Sequence, residues 1–260
     1  MQTERLIVSD SDIVSRCRAI IKPGIYNLLP GENRVFSQLP HFKGVKVQIL
    51  VTPQIGARFT EYELIIYAGG GTARPRDENL EQFLYLMEGT LELTIGGKTH
   101  PMVSGSFSWL PPHESFTFIN RGDGEARVLW IRRRYVEIQG IKIPATIIAH
   151  ESDVAAEPFD TYLSQRLIPY AELGFDMGII IQVFEPGTYF SFVESHIMEH
   201  GIFMLEGRGI YWLNKDFLEV QKNDFIYLAP YCPQYFIATG WDKSAYLLYK
   251  DVNRDYVEGL

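Results

Sequence analysis

The chain has 260 residues, 46% hydrophobic and 22% charged, with a formal net charge of −8. This composition is typical of a globular protein of one or two domains and excludes a disordered or fibrous chain. The negative charge argues against nucleic acids and anionic membranes as partners, because both attract basic surfaces. It leaves open a small anionic substrate that binds in a locally positive pocket.

The N-terminal residues 1–8 contain no apolar core of signal-peptide length. No apolar run approaches the roughly 18 residues that span a bilayer. The two cysteines, Cys17 and Cys232, are too few and too far apart for a disulfide framework. We therefore expect a soluble, cytoplasmic protein without a membrane partner.

Short strand patterns dominate the chain. Residues 46–51, 90–95 and 126–131 are rich in β-branched and large apolar side chains and are bounded by turn-forming residues. Helical patterns are limited to short pieces at 11–20 and 158–165. These features predict an all-β sandwich or barrel fold with few short helices.

The sequence repeats itself at an offset of 118 residues, which places Glu88-Gly89 on Glu206-Gly207. The same offset superimposes further identical residues: Phe107 and Phe225, Leu110 and Leu228, Pro112 and Pro230, and Phe118-Ile119 and Phe236-Ile237. Each unit is of ordinary domain size. The repeat predicts two β-barrels in tandem, one over residues 1–148 and one over 149–260.

The segment 192–201 holds the only close pair of histidines in the sequence. In an extended strand, Glu194 and His196 point to the same face, and His200 rejoins them if the chain stays extended. A carboxylate and two imidazoles that converge on one point suit a divalent cation. We predict a metal site in the second barrel.

The spacing Glu194-x-His196-x3-His200-x6-Gly207 resembles the first cupin motif, His-x-His-x3–4-Glu-x6-Gly, with Glu and His exchanged at the outer positions. Residues 223–234 match the spacing of the second motif, and Gln234 stands where that motif ends in histidine. Asn223, Ala229 and Tyr231 replace its Gly, Pro and Gly. The last three departures fall on turn positions, so they affect loop geometry more than the ligands.

Glu194, His196, His200 and Gln234, with the Tyr-x-Pro-Gln pattern of residues 231–234, resemble the ligand set of (S)-ureidoglycine aminohydrolases from bacteria and plants. The resemblance extends to residues 18–22, 132–136, 172–177 and 249–255. It implies a bicupin, with two tandem cupin barrels of the double-stranded β-helix type, and Mn²⁺ as the metal. Zn²⁺ or Fe²⁺ also fits the donor set.

The resemblance further implies a hydrolase that releases ammonia from (S)-ureidoglycine to give (S)-ureidoglycolate in allantoin and purine catabolism. Glu194 and Lys250 are then the expected catalytic residues. The expected substrate-binding residues are Glu194, Tyr211, Gln234, Tyr246 and Lys250, with Lys250 as the only cation of the pocket. Spacing alone favours Tyr211 and Tyr246 as barrel core and Lys250 as a solvated strand end, and the resemblance favours a role for them at the substrate.

The first barrel provides an internal comparison. Subtracting the offset from the four expected ligands gives Arg76, Glu78, Gln82 and Phe116. Because a guanidinium and a phenyl ring cannot ligate a cation, we expect this barrel to serve structure or assembly. We also expect the protein to form a homo-oligomer.

Two other classes of function stay open at this point. One is a different metal-dependent cupin enzyme, such as a sugar isomerase or an Fe²⁺ dioxygenase, which metal analysis with an oxygen-consumption assay separates. The other is a non-catalytic cupin that binds a sugar or metabolite. The absence of a DNA-binding segment and the intact ligand set count against the second.

Overall fold

A computed structural model describes residues 17–75 and 78–255 of the chain. Over these ranges the regular structure consists of 21 β-strands and three single-turn 3-10 helices, without an α-helix. The strands up to the middle of the chain are β1 (Ile20–Lys22), β2 (Tyr26–Leu29), β3 (Phe36–Ser37), β4 (Phe42–Val51), β5 (Phe59–Thr72), β6 (Glu81–Glu88), β7 (Thr90–Ile95), β8 (Lys98–Val103), β9 (Ser106–Leu110), β10 (Phe116–Ile119), β11 (Ala126–Arg133) and β12 (Ile147–His150). The remaining strands are β13 (Ala156–Phe159), β14 (Tyr162–Arg166), β15 (Met177–Phe184), β16 (His200–Glu206), β17 (Arg208–Leu213), β18 (Asp216–Gln221), β19 (Phe225–Leu228), β20 (Gln234–Thr239) and β21 (Ser244–Asp251). The 3-10 turns are Gly31–Asn33, Pro53–Ile55 and Glu151–Asp153.

The predicted repeat is confirmed strand by strand. The hairpin of β7 and β8 recurs as β17 and β18, and β11 recurs as β21, each at the offset of 118 residues. The first barrel is built on a 10-stranded sheet, while the second combines an 8-stranded sheet with the 3-stranded sheet β18-β17-β20. The all-β prediction with two similar barrels in tandem is therefore correct.

The two barrels exchange their leading strands. Strand β2 pairs with β19 of the second barrel, with Leu28 opposite Ile226. Strand β12 pairs in the equivalent way with β9 of the first barrel, with Ile147 opposite Trp109. Each exchanged strand covers a backbone edge that would otherwise be free to pair with another chain. The predicted division at 148/149 therefore needs correction, because it cuts through β12 and assigns β1 and β2 to the wrong sheet.

The predicted short helix at 158–165 is wrong. These residues fall in the hairpin of β13 and β14, with Pro158 opposite Leu163. Burial alternates along β14, where Tyr162 and Ser164 are buried and Leu163 is exposed, and this period of two is the strand signature. Of the other predicted helix, residues 11–16 lie outside the described residues, as does the segment 1–8, and Ile20 begins a strand.

Apolar side chains form three clusters. One lies inside the first barrel and one inside the second. The third lies between the barrels and draws residues from both; it includes the contact of Trp109 with Phe175, with ring centroids 5.0 Å apart, and that of Phe59 with Tyr249 at 4.0 Å. Burial of this shared core fuses the barrels into one unit. Among the described residues, no helix is long and apolar enough to span a membrane.

Candidate active site

A cavity of about 140 Å³ opens into the second barrel. One wall is formed by the neighbouring strands β14, β15 and β21, and the facing wall by residues 194–200, which lead into β16. The lining side chains are Phe159, Tyr162, Ser164, Arg166, Tyr170, Ile180, Gln182, Glu194, His196, Met198, His200, Leu248 and Lys250.

The backbone of the expected ligand segment is less regular than predicted. Glu194 and Gln234 form an isolated antiparallel β-bridge, in which each amide donates to the other residue's carbonyl, with N···O distances of 3.0 and 2.9 Å. Residues 195–199 are irregular, with the carbonyl of His196 accepting from the Tyr231 amide at 2.7 Å, and His200 begins β16. The continuous extended strand is therefore wrong. The bridge and this loop bring the side chains together instead.

The four expected ligands converge on the Nε2 atom of His196. The Nε2 of His200 and the Nε2 of Gln234 each lie 3.3 Å from it, and Glu194 Oε2 lies 3.7 Å away. Among the described residues, no group of three or more His, Cys, Asp or Glu side chains is close enough to hold a metal ion as it stands. Small side-chain movements would thus be needed to close this cluster around an ion.

The surroundings of His200 suit a metal ligand. Its Nδ1 lies 3.3 Å from the carbonyl oxygen of Tyr249. Because a carbonyl only accepts, Nδ1 carries the proton, and the lone pair of Nε2 points into the cluster. Burial, with the nearby His196 and Lys250, lowers the pKa of His200 well below its ordinary value. The imidazole is therefore neutral, which is the form that binds a metal.

The donor set also fits a divalent ion by chemistry. Two nitrogens at right angles around an ion, each about 2.1 Å from it, are about 3 Å apart, close to the separation of the two Nε2 atoms. His196 Nδ1 is buried without a hydrogen-bond partner. Ligation through Nε2 would leave the proton on this nitrogen, so Nδ1 would still need an acceptor, and only the separation of the two Nε2 atoms supports the site here.

Gln234 is in place, but its amide oxygen is turned away from the cluster. The oxygen accepts a hydrogen bond of 3.0 Å from Tyr211 Oη, and the amide nitrogen faces His196. Coordination through the oxygen requires a rotation of the amide by half a turn. Tyr211 can then accept from the amide nitrogen, because a phenol is both donor and acceptor.

Tyr211 and Tyr246 lie behind the cavity wall instead of lining it. Each is 1% exposed, and burial raises the pKa of both phenols well above the ordinary value. Tyr246 donates to the Gln182 amide oxygen, and Gln182 in turn donates to Tyr162 Oη at 3.3 Å. The structure thus places Gln182 and Tyr162 at the cavity, with the predicted tyrosines supporting them.

Lys250 lines the cavity as predicted. It lies directly across the sheet from His200 on one side and from Gly178 on the other. Burial lowers the pKa of its ammonium group; Glu194 opposes this effect, and Arg166 adds to it. The expectation that Lys250 is the only cation of the pocket is wrong, because Arg166 also lines the cavity.

Sequence reasoning missed the contribution of β14 to the site. Tyr162, Ser164 and Arg166 have equal parity on this strand, and all three line the cavity. The alternation of large, small and charged residues was the available signal, but the segment was interpreted as helical.

The equivalent place in the first barrel has a different chemistry. Glu78, Gln82 and Phe116, which correspond to His196, His200 and Gln234, line a cavity of only about 20 Å³. Arg132, the counterpart of Lys250, forms an ion pair with Glu78 and stacks on Trp130, with its Cζ 4.4 Å from the ring centroid. Arg76 lies outside the described residues. An internal ion pair thus fills this barrel where the second barrel has its ligand cluster.

The fold and the site together define a bicupin, in which two fused cupin barrels share a core and the second carries the ligand-type cluster. The family model of the cupin domain matches residues 63–132, in the first barrel. A curated (S)-ureidoglycine aminohydrolase from Escherichia coli (strain K12) is 32% identical over 243 residues, covering 92% of both chains. With this similarity over nearly its whole length, the chain belongs to the (S)-ureidoglycine aminohydrolase family.

Two further relatives agree with this assignment. A probable (S)-ureidoglycine aminohydrolase from Oryza sativa subsp. japonica is 34% identical and covers 88% of this chain and 73% of its own. The crystal structure of protein Ylba from E. coli superimposes with a TM-score of 0.85 at 30% identity, covering 95% of this chain and 98% of that one. The similarity therefore includes both barrels and the connections between them.

Proposed function

We propose that this protein is a metal-dependent hydrolase that releases ammonia from (S)-ureidoglycine and forms (S)-ureidoglycolate, as an enzyme of allantoin and purine catabolism. The observation that carries the proposal is the convergence of Glu194, His200 and Gln234 on His196, at a cavity that Lys250 also lines. The curated relatives bear the name of this activity.

Glu194, His196, His200 and Gln234 would hold the metal, which we propose to be Mn²⁺. Two nitrogen and two oxygen donors with room for further ligands suit this ion, and Zn²⁺ or Fe²⁺ is the alternative. When bound, a divalent ion supplies Lewis-acid activation of water and orientation of the substrate.

The chain's own side chains then act on the substrate. Hydrolysis breaks the bond between Cα and the amine nitrogen and forms a bond between Cα and a water oxygen, so a proton has to reach the departing amine. The Glu194 carboxylate is 24% exposed at the cavity and can carry that proton as a general acid–base group. The Lys250 ammonium group would bind the substrate carboxylate and so fix which face of Cα reacts.

The decisive experiment is an assay of ammonia release from freshly generated ureidoglycine, with metal-free protein and after addition of Mn²⁺. We expect about one divalent ion per chain and activity that returns with it. His196→Ala and His200→Ala should lose both, whereas His100→Ala in the first barrel should keep both. Oxygen consumption without ammonia release would indicate a dioxygenase instead, and two ions per chain would contradict the assignment of the site to the second barrel alone.

The homo-oligomer expected from the sequence stays a prediction. Sedimentation of the purified protein tests it.

A further inference from the structure

Two cations of the cavity share one aromatic ring. Arg166 Cζ lies 5.5 Å and Lys250 Nζ 4.5 Å from the centroid of the Tyr170 ring. Both cations line the cavity, Lys250 on its inner wall and the exposed Arg166 at the end of β14. Over residues 17–75 and 78–255, neither forms an ion pair with a carboxylate, although the chain has 32 acidic and 24 basic residues.

The arrangement of these residues is fixed by the sheet. Arg166 lies opposite Ile180 of β15, and Gly178 on the same strand lies opposite Lys250. A methyl group on Gly178 would lie 3.0 Å from Tyr170 Cδ1 and 3.4 Å from Lys250 Cγ. The glycine thus allows the ring to lie close beside the lysine. Asn253 Nδ2 also donates to the Tyr170 carbonyl at 2.6 Å, which holds this part of the backbone.

Two neighbouring cations with no carboxylate at ion-pair distance are unfavourable, because like charges repel and the lysine is largely removed from water. The carboxylate of Glu194 offsets this effect only in part, since the pKa of Lys250 is still lowered. A bound anion between them would offset both effects. A planar guanidinium presents paired donors that match a carboxylate, and an aromatic face preorganises the group by stacking. A lone surface arginine would have neither the second cation nor the ring.

We propose that Arg166 is a second substrate-binding residue. It binds the substrate carboxylate at the cavity mouth, while Lys250 binds the same carboxylate from the inner wall. The Tyr170 ring holds both cations in position. This inference rests on the proposed function, since it takes ureidoglycine as the substrate. Arg166 on β14 and Lys250 on β21 would then both contact the α-carboxylate, and this group would decide which small ureido compounds the site binds.

The test is a binding experiment that requires no turnover. N-carbamoylglycine carries the ureido group and the carboxylate but lacks the amine that is lost, and N-carbamoylglycinamide replaces the carboxylate by a neutral amide. Calorimetric titration would compare both compounds on the metal-loaded parent, Arg166→Gln and Arg121→Gln. Arg121 is a suitable control because it is 65% exposed, pairs with Glu92 in the first barrel and loses the same charge.

We expect Arg166→Gln to weaken N-carbamoylglycine about 5- to 30-fold, as for loss of a charge-assisted contact, and to leave the amide unchanged. Arg166→Lys should recover part of the loss, and Arg121→Gln should have no effect. With ureidoglycine, Arg166→Gln should raise KM by more than it lowers kcat. Equal weakening of both compounds, or of neither, would overturn the proposal. Absence of ammonia release by the parent would instead refute the proposed function, while the difference between the two ligands could still be measured.

Discussion

Gln234 is the residue of the proposed metal site whose orientation differs most from the one that the motif predicts. It is 2% exposed and held by Tyr211, so its position is fixed, although its oxygen is turned toward the phenol. Sequence spacing predicted Gln234 as the fourth ligand, and the structure brings its amide to 3.3 Å from His196 Nε2. The spacing could not give the rotation of the amide, which depends on a tyrosine 23 residues away.

We predict that Gln234→Leu keeps the fold and loses most of the bound metal, because Leu fills a similar volume without a donor atom. Gln234→His should bind metal again and shift the preference toward Zn²⁺ or Fe²⁺, since a nitrogen replaces an oxygen. Metal analysis of the purified variants measures both effects. Tyr211→Phe is the matched control, because it removes only the hydrogen bond and should weaken the metal less. If Gln234→Leu holds Mn²⁺ as well as the parent, the fourth ligand is not Gln234.

The ammonium group of Lys250 is the expected contact for the substrate carboxylate. Lys250→Met keeps much of the apolar stem and removes the ammonium group from the inner wall of the cavity. Loss of a charge-assisted hydrogen bond costs about 1.5–3 kcal/mol, which corresponds to a roughly 10- to 150-fold lower kcat/KM with metal content unchanged. Lys243→Met, at an exposed ion pair with Glu206, should leave kcat/KM as in the parent. An unaltered value in Lys250→Met would show that this group does not contact the substrate.

At the level of strands, local pattern predicted the strands of the repeat but not where the exchanged strands pair. The offset of 118 residues located the strands of both barrels, since the two copies keep the same spacing. The exchange of β2 and β12 was not predictable, because an alternating strand shows which face is buried and not which edge it joins. The hairpin β13–β14 was missed because it is too short for helical and strand periods to be told apart.

The strand exchange makes Tyr26 a core residue of the distant second barrel. It is fully buried, and its hydroxyl donates to Asp216 Oδ2 at 2.7 Å. Tyr26→Ala should therefore lower the free energy of unfolding by about 3 kcal/mol, through the cavity left behind. Denaturant unfolding followed by tyrosine and tryptophan fluorescence measures it. Ile21→Ala, on the same hairpin but 55% exposed, should change stability by less than about 0.5 kcal/mol. Similar losses in both variants would argue against the exchange.

In the whole molecule, the barrels are joined by charge as well as by the shared apolar core. Arg133 of β11 is 8% exposed and donates to the Asp176 carbonyl at 2.8 Å and to Tyr249 Oη at 3.2 Å. It also lies 3.4 Å from Glu81. Such a buried cation is tolerated only with partners on every side. This network could not be predicted from the sequence, because Asp176 and Tyr249 belong to the other repeat and no local period relates them to Arg133.

Glu61 is an acidic side chain buried at this same interface. Both of its carboxyl oxygens are buried without a hydrogen bond. Oε2 lies 2.6 Å from the position that a Cβ atom on Gly201 of the second barrel would take. Burial raises the pKa of Glu61 from 4.5 to about 8, opposed by the charge of Arg34. At neutral pH the carboxyl is therefore protonated in the folded protein and ionised in the unfolded chain.

The sign of the resulting pH dependence follows from proton counting. Between pH 4.5 and pH 8 the folded state holds the Glu61 proton and the unfolded state does not. The stabilisation is therefore complete below pH 4.5 and is lost as the pH rises through 8, on the order of 5 kcal/mol in all. Glu61→Gln is neutral at every pH, so its unfolding free energy should fall less steeply with pH than that of the parent. The slope that remains comes from other buried carboxyls, because burial also raises the pKa of Glu81 well above its ordinary value and that of Glu199 to about 7. Denaturant unfolding at a series of pH values measures the slopes.

Glu92→Gln is the matched control, because the Glu92 side chain is 42% exposed, and this variant should keep the slope of the parent. If Glu61→Gln does so too, the carboxyl at the barrel interface is not the group that titrates.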